Sequence, residues 1–522
     1  MKIYDTTLRD GTQSPDLNLS VKDKVDFALA LDKLGVDYIE LGWPGSNPKD
    51  MEAFNEISRY KFNAKVCAFG ATRRKDVKAE DDLNLKAILE TKAPVATIFG
   101  KTWLLHVEKQ LGISAEENWG IIFETVRFLK NNNLEVVYDA EHFFDGFKAD
   151  KKYALECLKK AFEAGASCLV LCDTNGGTFP WEIKKILEEV KKYLSENKIN
   201  SELGIHCHND RDLAVANSLV AAKDVQQIQG TVNGFGERAG NANLCSVMPA
   251  LSSIGVEFNA SKNLKQLTSL SRLLYTLGNV RPLKHLPYVG VNAFSHKGGI
   301  HVDAVSKGAS YEFIAPEEVG NSRRIILSDL SGKASIVEIA KKFGYNVDKK
   351  DARVEKMLAK IKEMESLGYD ISGIDAEHYL LAKQFFNGSR NFIDVAAFEI
   401  KSNVDKSRCF IKAIMENESI EAEEEVYGGP VDALYRALQE MLKKKYSHIE
   451  RVKLENFKVR IFEQKGVSSS VRVYVEFSVN GKKKAEWATV GVNENILIAS
   501  LEAIKKGFEY YFLRIEKGIK AA

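Results

Sequence analysis

Neither sign of charge dominates this chain: 74 lysines and arginines face 72 aspartates and glutamates, a net charge of +2. A nucleic-acid or anionic-membrane partner calls for a clustered basic excess, and this balance supplies none. Long apolar runs are missing too. The longest, such as 94–99, have the length of buried strands, so no transmembrane helix is expected. The opening MKIYDTTLRDG is charged almost from its start and has no apolar h-region, which argues against a signal peptide. Cysteine is sparse, seven scattered residues without a CxxC pair. That disfavours a structural zinc built on thiolates and leaves a reduced, cytoplasmic protein as the economical expectation.

What is present is length and alternation. At 522 residues the chain exceeds what one hydrophobic core usually serves. Residues 1–255 alternate β-rich runs (2–6, 38–41, 65–69, 95–99, 135–139, 168–172, 204–207 and 228–232) with amphipathic helical runs such as 21–34, 116–131, 151–164 and 180–195. Eight strands alternating with helices over this length predict an α/β fold, a (β/α)8 TIM barrel. An open doubly wound sheet is the alternative, but no G-x-G-x-x-G follows the first strand. Residues 256–390 are helical and charged, with two Gly/Pro-bearing connections, and read as helical subdomains. Residues 391–522 run strands then helix (395–400, 409–415, 430–444) and again strands then helix (457–462, 470–477, 485–490, 493–515), a C-terminal α+β domain.

In a barrel the side chains at the C-terminal strand ends converge on one face. After the first strand come Arg9 and Asp10, suited to an oxyanion and a metal, or to a plain surface ion pair. The seventh strand holds the sharpest local signal, His206-Cys207-His208. Residues i and i+2 of a strand share a face, so both imidazoles aim at one point while Cys207 turns away. Two neutral imidazoles are half of a divalent-metal site, and Asp10 would make a 2-His-1-carboxylate set. The Gly-rich loop 233–243 offers the amide oxygen of Asn241 to the same place. Glu40, Glu141 and Thr174 occupy other strand ends. A single loop carboxylate is more often solvated than catalytic; only convergence raises its standing. Beyond the barrel, His301 lies in a polar, Gly-bearing loop with Tyr311 shortly after, which also reads as a surface connection.

Together these segments resemble one family, the acyl-transferring metal barrels that include the isopropylmalate, homocitrate and citramalate synthases and the related aldolase-type lyases. The resemblance rests on DTTLRDG at 5–11, IELGWP at 39–44, CDTNGG at 172–177, HCHND at 206–210 and NGFGERAGNANL at 233–244. It continues through HKGGIHVDAV at 296–305, VGNSRRIILSDLSGK at 319–333 and GGPVDALYRAL at 428–438.

The resemblance implies a divalent metal (Mn, Mg, Zn or Co) on Asp10, His206 and His208 with Asn241 contributing, and acetyl-CoA as co-substrate. It implies Arg9 at the oxyanion and the oxo acid's carboxylate, Thr174 at the substrate, and Glu141, assisted by His301, as the base. In the family a His and a Tyr of the helical segment complete the partner subunit's site. His301 and Tyr311 match those positions, which implies a homodimer. GWPGSNPKD at 42–50 and YDAEHFFDGF at 138–147 look like the citramalate branch, implying pyruvate as acceptor and a place in isoleucine biosynthesis. Phe99 and Tyr138 would then shorten the acceptor pocket, with Glu40 beside the substrate. The isopropylmalate branch, with 2-oxoisovalerate as acceptor, is the alternative; a lyase on the same barrel and a non-catalytic amino-acid sensor are the rivals. The terminal domain would be regulatory and bind isoleucine.

Overall fold

The β-rich runs of the first half become eight strands, buried along most of their length as parallel strands between two layers must be. They are β1 (Lys2–Asp5), β2 (Tyr38–Gly42), β3 (Lys65–Ala71), β4 (Val95–Lys101), β5 (Glu135–Glu141), β6 (Cys168–Asp173), β7 (Glu202–Cys207) and β8 (Gln227–Gly230). In this computed structural model, which describes residues 1–306, 308, 311–388, 393–461, 469–479 and 485–515, they form a closed barrel in sequence order. Closure is made by β1 against β8, with Asp5 opposite Gly230, and it excludes the open sheet. The period of two sorts the side chains into layers. Tyr4, Tyr38, Cys67, Val95, Val137 and Cys168 pack together inside the barrel. Ile3, Ile39, Ala68, Val136, Tyr138 and Leu169 belong instead to the larger core shared with the helices.

Local signals set the helix ends. Ser20 and Asp23 form a capping box at the start of Val21–Leu34, and Gly35 ends it at φ +96°, a left-handed cap that favours glycine. Asp150 caps Lys151–Ala164, which stops at Gly165 in the same way. Such short, well-capped turns hold the strand ends, and so the site, in fixed register.

Two compact units divide the chain: Met1–Phe294 with Ile314–Ser322, and Ser295–Phe313 with Arg323–Ala522. The second unit holds a short parallel pair, β9 (Ser295–His296) and β10 (Arg324–Ile325), and the helices Lys333–Lys342, Ala352–Ser366 and Asp375–Asn387. It then repeats one pattern. The antiparallel sheet β11 (Asp394–Ser402), β12 (Ser407–Met415), β13 (Glu418–Val426) precedes helix Pro430–Lys443. A second sheet, β14 (Val452–Ile461), β15 (Val471–Val479), β16 (Ala485–Asn493), precedes helix Ile496–Tyr510. The expected strand end at residue 462 lies outside the described residues.

β13 is absent from the sequence expectation. Its run ESIEAEEEV is so acidic that it reads as a solvated segment, yet alternation buries Ala422 and Val426 and turns glutamates to water. Among the described residues no helix is long and apolar enough to cross a membrane.

Candidate active site

The loop leaving β1 and the end of β7 bring Asp10, His206 and His208 together. One ligand atom from each lies within 4.8 Å of the others. His206 Nε2 is 3.4 Å from Asp10 Oδ2 and 3.4 Å from His208 Nε2, and all three residues are buried. Cys207 points the other way into the apolar core, as strand alternation requires. The backbone of His208 pairs with that of Asn241. The Asn241 amide nitrogen donates to the Phe235 carbonyl at 3.1 Å.

Three buried atoms here have no hydrogen-bond partner: Asp10 Oδ1, His208 Nδ1 and Asn241 Oδ1. Buried polar atoms are seldom left so, and a cation accounts for the two oxygens at once. Two imidazoles, a carboxylate and a spare amide oxygen fit a divalent ion.

Electrostatics prepares these ligands. Burial alone would raise the Asp10 carboxyl, but Arg9 and the two histidines outweigh it and hold it well below the usual carboxylate range. Burial, reinforced by His206 and Arg238 against the opposing pull of Asp10, pushes His208 down to about 4, so its ring is neutral. Burial also opposes the charging of His206, yet Asp10 and Asp139 win and raise it. A bound cation would compete with the proton that these carboxylates draw to His206.

Arg9 is held on three sides. Its Nε donates to Glu40 Oε1 at 2.6 Å, its Nη1 lies 3.2 Å from Asp10 Oδ2, and its guanidinium carbon sits 3.7 Å over the Phe69 ring. Glu40 is wholly buried and is itself fixed by the Tyr4 hydroxyl at 2.8 Å. Glu40 therefore positions Arg9 rather than facing the cleft. That cleft, of about 190 Å³, is lined by Arg9, Asp10, Phe99, Glu141, Thr174 and His208 among others. Trp43, Phe69 and Phe99 form its apolar wall, with ring centroids 5.3–5.5 Å apart.

Glu141 ends β5 and pairs with Lys101, Nζ to Oε2 at 2.6 Å, across from the end of β4. The Thr174 hydroxyl accepts the His142 N–H at 2.8 Å, which leaves its own proton to donate. Tyr138 requires a correction. It lies one residue from Asp139 on β5, so it faces the helix layer, fully buried, and does not line the cleft. His301, on helix Gly299–Ser306, and Tyr311 belong to the second unit, where their rings stack at 4.2 Å.

Sequence reasoning missed Lys101, Gln229, Asp139, Trp43 and Phe69. Inward parity from the site residues marks three of them. Glu141 faces in, so Asp139 does; Phe99 faces in, so Lys101 does; and Gln229 stands in register with His206. Burial and the Glu40 charge push Asp139 up to about 7, although His206 and Arg9 oppose it.

Comparison with known proteins places this geometry. The HMGL-like family matches residues 1–274, the homocitrate synthase post-HMGL domain-like family residues 288–368, and the LeuA allosteric (dimerisation) domain residues 373–512. The chain is 46% identical to the (R)-citramalate synthase of Geobacter sulfurreducens, over 99% of this chain and 98% of that one. Against the (R)-citramalate synthase of Aquifex aeolicus the identity is 43%, over 99% and 98%. It falls to 32%, over 99% and 95%, against the 2-isopropylmalate synthase of Methanocaldococcus jannaschii.

Proposed function

The chain belongs to the HMGL-like family and, over its full length, to the (R)-citramalate synthases, and we propose on that premise how its own residues act. It is an acyltransferase that condenses acetyl-CoA with pyruvate and hydrolyses the thioester to (R)-citramalate and CoA. The full-length identity to (R)-citramalate synthases, well above that to a 2-isopropylmalate synthase, carries this reading. The bulky aromatic wall of Trp43, Phe69 and Phe99 supports it, as large rings of this kind would shorten an acceptor pocket.

Asp10, His206, His208 and the Asn241 amide oxygen would hold the divalent metal, whose chemistry when bound is Lewis-acid polarisation of a carbonyl. Arg9, immobilised by Glu40, takes the oxo acid's carboxylate and neutralises the alkoxide that develops on its keto oxygen. The Thr174 hydroxyl donates to the carboxylate. Glu141 removes a proton from the acetyl methyl group, with Lys101 holding it in place. The enolate carbon then attacks the keto carbon, the alkoxide takes up a proton equivalent to the one Glu141 removed, and water cleaves the thioester to release CoA and the free carboxylate.

His301 and Tyr311 complete the site of the partner subunit in a homodimer, His301 assisting Glu141; the LeuA dimerisation domain supports such an assembly. The same domain, described as allosteric, supports an amino-acid effector, and isoleucine is the end product that a citramalate route serves. Seven buried free cysteines support a cytoplasmic setting.

The deciding assay follows CoA release with acetyl-CoA and added divalent metal for pyruvate, 2-oxoisovalerate and 2-oxoglutarate. Preference for pyruvate, abolished by chelator, is expected. Preference for 2-oxoisovalerate would move the chain to isopropylmalate synthesis, and no release with any acceptor would sink the condensing mechanism.

A further inference from the structure

An exposed indole stands on the same face of the barrel as the cleft. Trp181 is 68% exposed although it is one of only five tryptophans. One face of its ring is covered by Phe179, with centroids 4.6 Å apart and planes 7° from parallel. On Phe179 lies the Arg211 guanidinium, 4.4 Å from the ring centroid. The result is a stack of Arg211, Phe179 and Trp181. Its indole end is open to water, and among the described residues no carboxylate pairs with Arg211.

The backbone under this stack is braced. Thr178 Oγ1 donates to Asp173 at 2.7 Å, Asn217 donates to the Thr178 carbonyl at 2.8 Å, and Glu182 accepts the Phe179 N–H at 2.9 Å. The segment starts at Thr174, which lines the cleft, and Arg238 ties the Thr174 carbonyl at 2.8 Å to Asp210, the neighbour of Arg211. Both the aromatic pair, after β6, and Arg211, after β7, therefore sit where the barrel's chemistry converges. The indole is thus held bare at the first turn of helix Pro180–Glu196, on a braced backbone and beside a cation with no carboxylate partner among the described residues.

We propose that Trp181, Phe179 and Arg211 form the subsite for the adenosine end of the acyl-CoA, the adenine stacking on the open indole face and Arg211 meeting a phosphate. Of the two substrates, only the nucleotide end of CoA offers both a π face and phosphate oxygens, the two things this stack can bind. The proposal rests on the acyl-CoA reading above and adds residues for a part of the substrate that reading leaves unplaced.

The test compares acetyl-CoA with S-acetyl-pantetheine, which carries the same reacting thioester without adenosine. Trp181→Ala is expected to raise KM for acetyl-CoA about tenfold, in the range a base–aromatic stack contributes, and to leave KM for the truncated thioester within twofold. Trp181→Phe, which keeps a ring, stays near the parent. Equal KM values for acetyl-CoA in the parent and Trp181→Ala overturn the subsite. Should the parent turn over no acetyl-CoA at all, the functional reading fails instead. Titration with 3′,5′-ADP then still decides the subsite: saturable quenching of indole fluorescence that disappears in Trp181→Phe supports it, and unchanged quenching in that variant overturns it.

Discussion

Gln229 accepts a hydrogen bond from Nδ1 of His206 at 2.8 Å, and its amide nitrogen donates to Asp139 at 3.1 Å. The second bond orients the first. With the nitrogen committed to a carboxylate, the amide oxygen must face His206, so Nδ1 carries a proton and Nε2 is the nitrogen turned toward Asp10 and His208, where it would take a cation. Gln229→Leu removes that constraint without replacing a ligand. Divalent-metal affinity, measured by competition with a chromogenic chelator, is expected to fall by about 10–100-fold. Unchanged affinity would show that the ring needs no orienting partner.

The buried contact between Glu40 and Arg9 yields a second expectation. Glu40→Gln keeps the shape of the side chain but removes the charge that opposes Arg9, so the guanidinium loses its firmest anchor. A displacement on the order of 1 Å costs about 10²-fold in rate. The loss should appear in kcat/KM for pyruvate, with metal affinity little changed because Glu40 touches no ligand. Arg9→Lys should be worse, since a point charge cannot reach Glu40 and the substrate together.

Much of this architecture is legible in the sequence because barrel strands are short, apolar and regularly spaced, and their ends carry most of the polar chemistry. His206 and His208 were readable because strand alternation alone puts them on one side. What failed were inferences needing consistent parity or three-dimensional convergence. Tyr138 and Glu141 cannot both face the cleft from one regular strand, so choosing Glu141 already placed Tyr138 outside. Glu40 was found but misread: nothing local says that its carboxylate turns to Arg9 rather than to substrate. Lys101 and Gln229 stand beside Glu141 and His206 on neighbouring strands, so only the strand register pairs them, and the bond from Gln229 to Asp139 forms only across the barrel. β13 escaped because its glutamates outweigh the two apolar residues that bury it.

Lys24 links stability to the acceptor wall. It is fully buried, with Nζ 2.5 Å from Asp50 and 3.1 Å from the Leu41 carbonyl. The other Asp50 oxygen accepts the backbone N–H of Trp43 at 2.9 Å. Lys24→Met strands the Asp50 carboxylate in the core, and a loss of about 3–5 kcal/mol is expected in denaturant unfolding of the barrel. The double variant Lys24→Met with Asp50→Leu should recover most of that loss while leaving the Trp43 backbone N–H without its acceptor, its indole still held by Asn84. Relaxed preference for pyruvate over 2-oxoisovalerate in the double variant would tie the wall to this pair; an unchanged preference would separate them.

Acid should weaken the second unit through His378. This side chain is fully buried on helix Asp375–Asn387, and burial pushes it down to about 4. Asp375 opposes the shift, while Lys342 and Arg324 add to it. An imidazole in the unfolded chain titrates near 6.5. Between those values the unfolded state binds a proton that the folded state refuses, so stability is intact above pH 6.5 and declines as pH falls toward 4. The full contribution is about 3 kcal/mol. His378→Leu removes the titration, so its urea midpoint should fall less between pH 7 and pH 4.5 than that of the parent, read from the transition of the second unit. Parallel loss in both proteins would mean that other groups, chiefly carboxylates held in ion pairs, govern the acid limb.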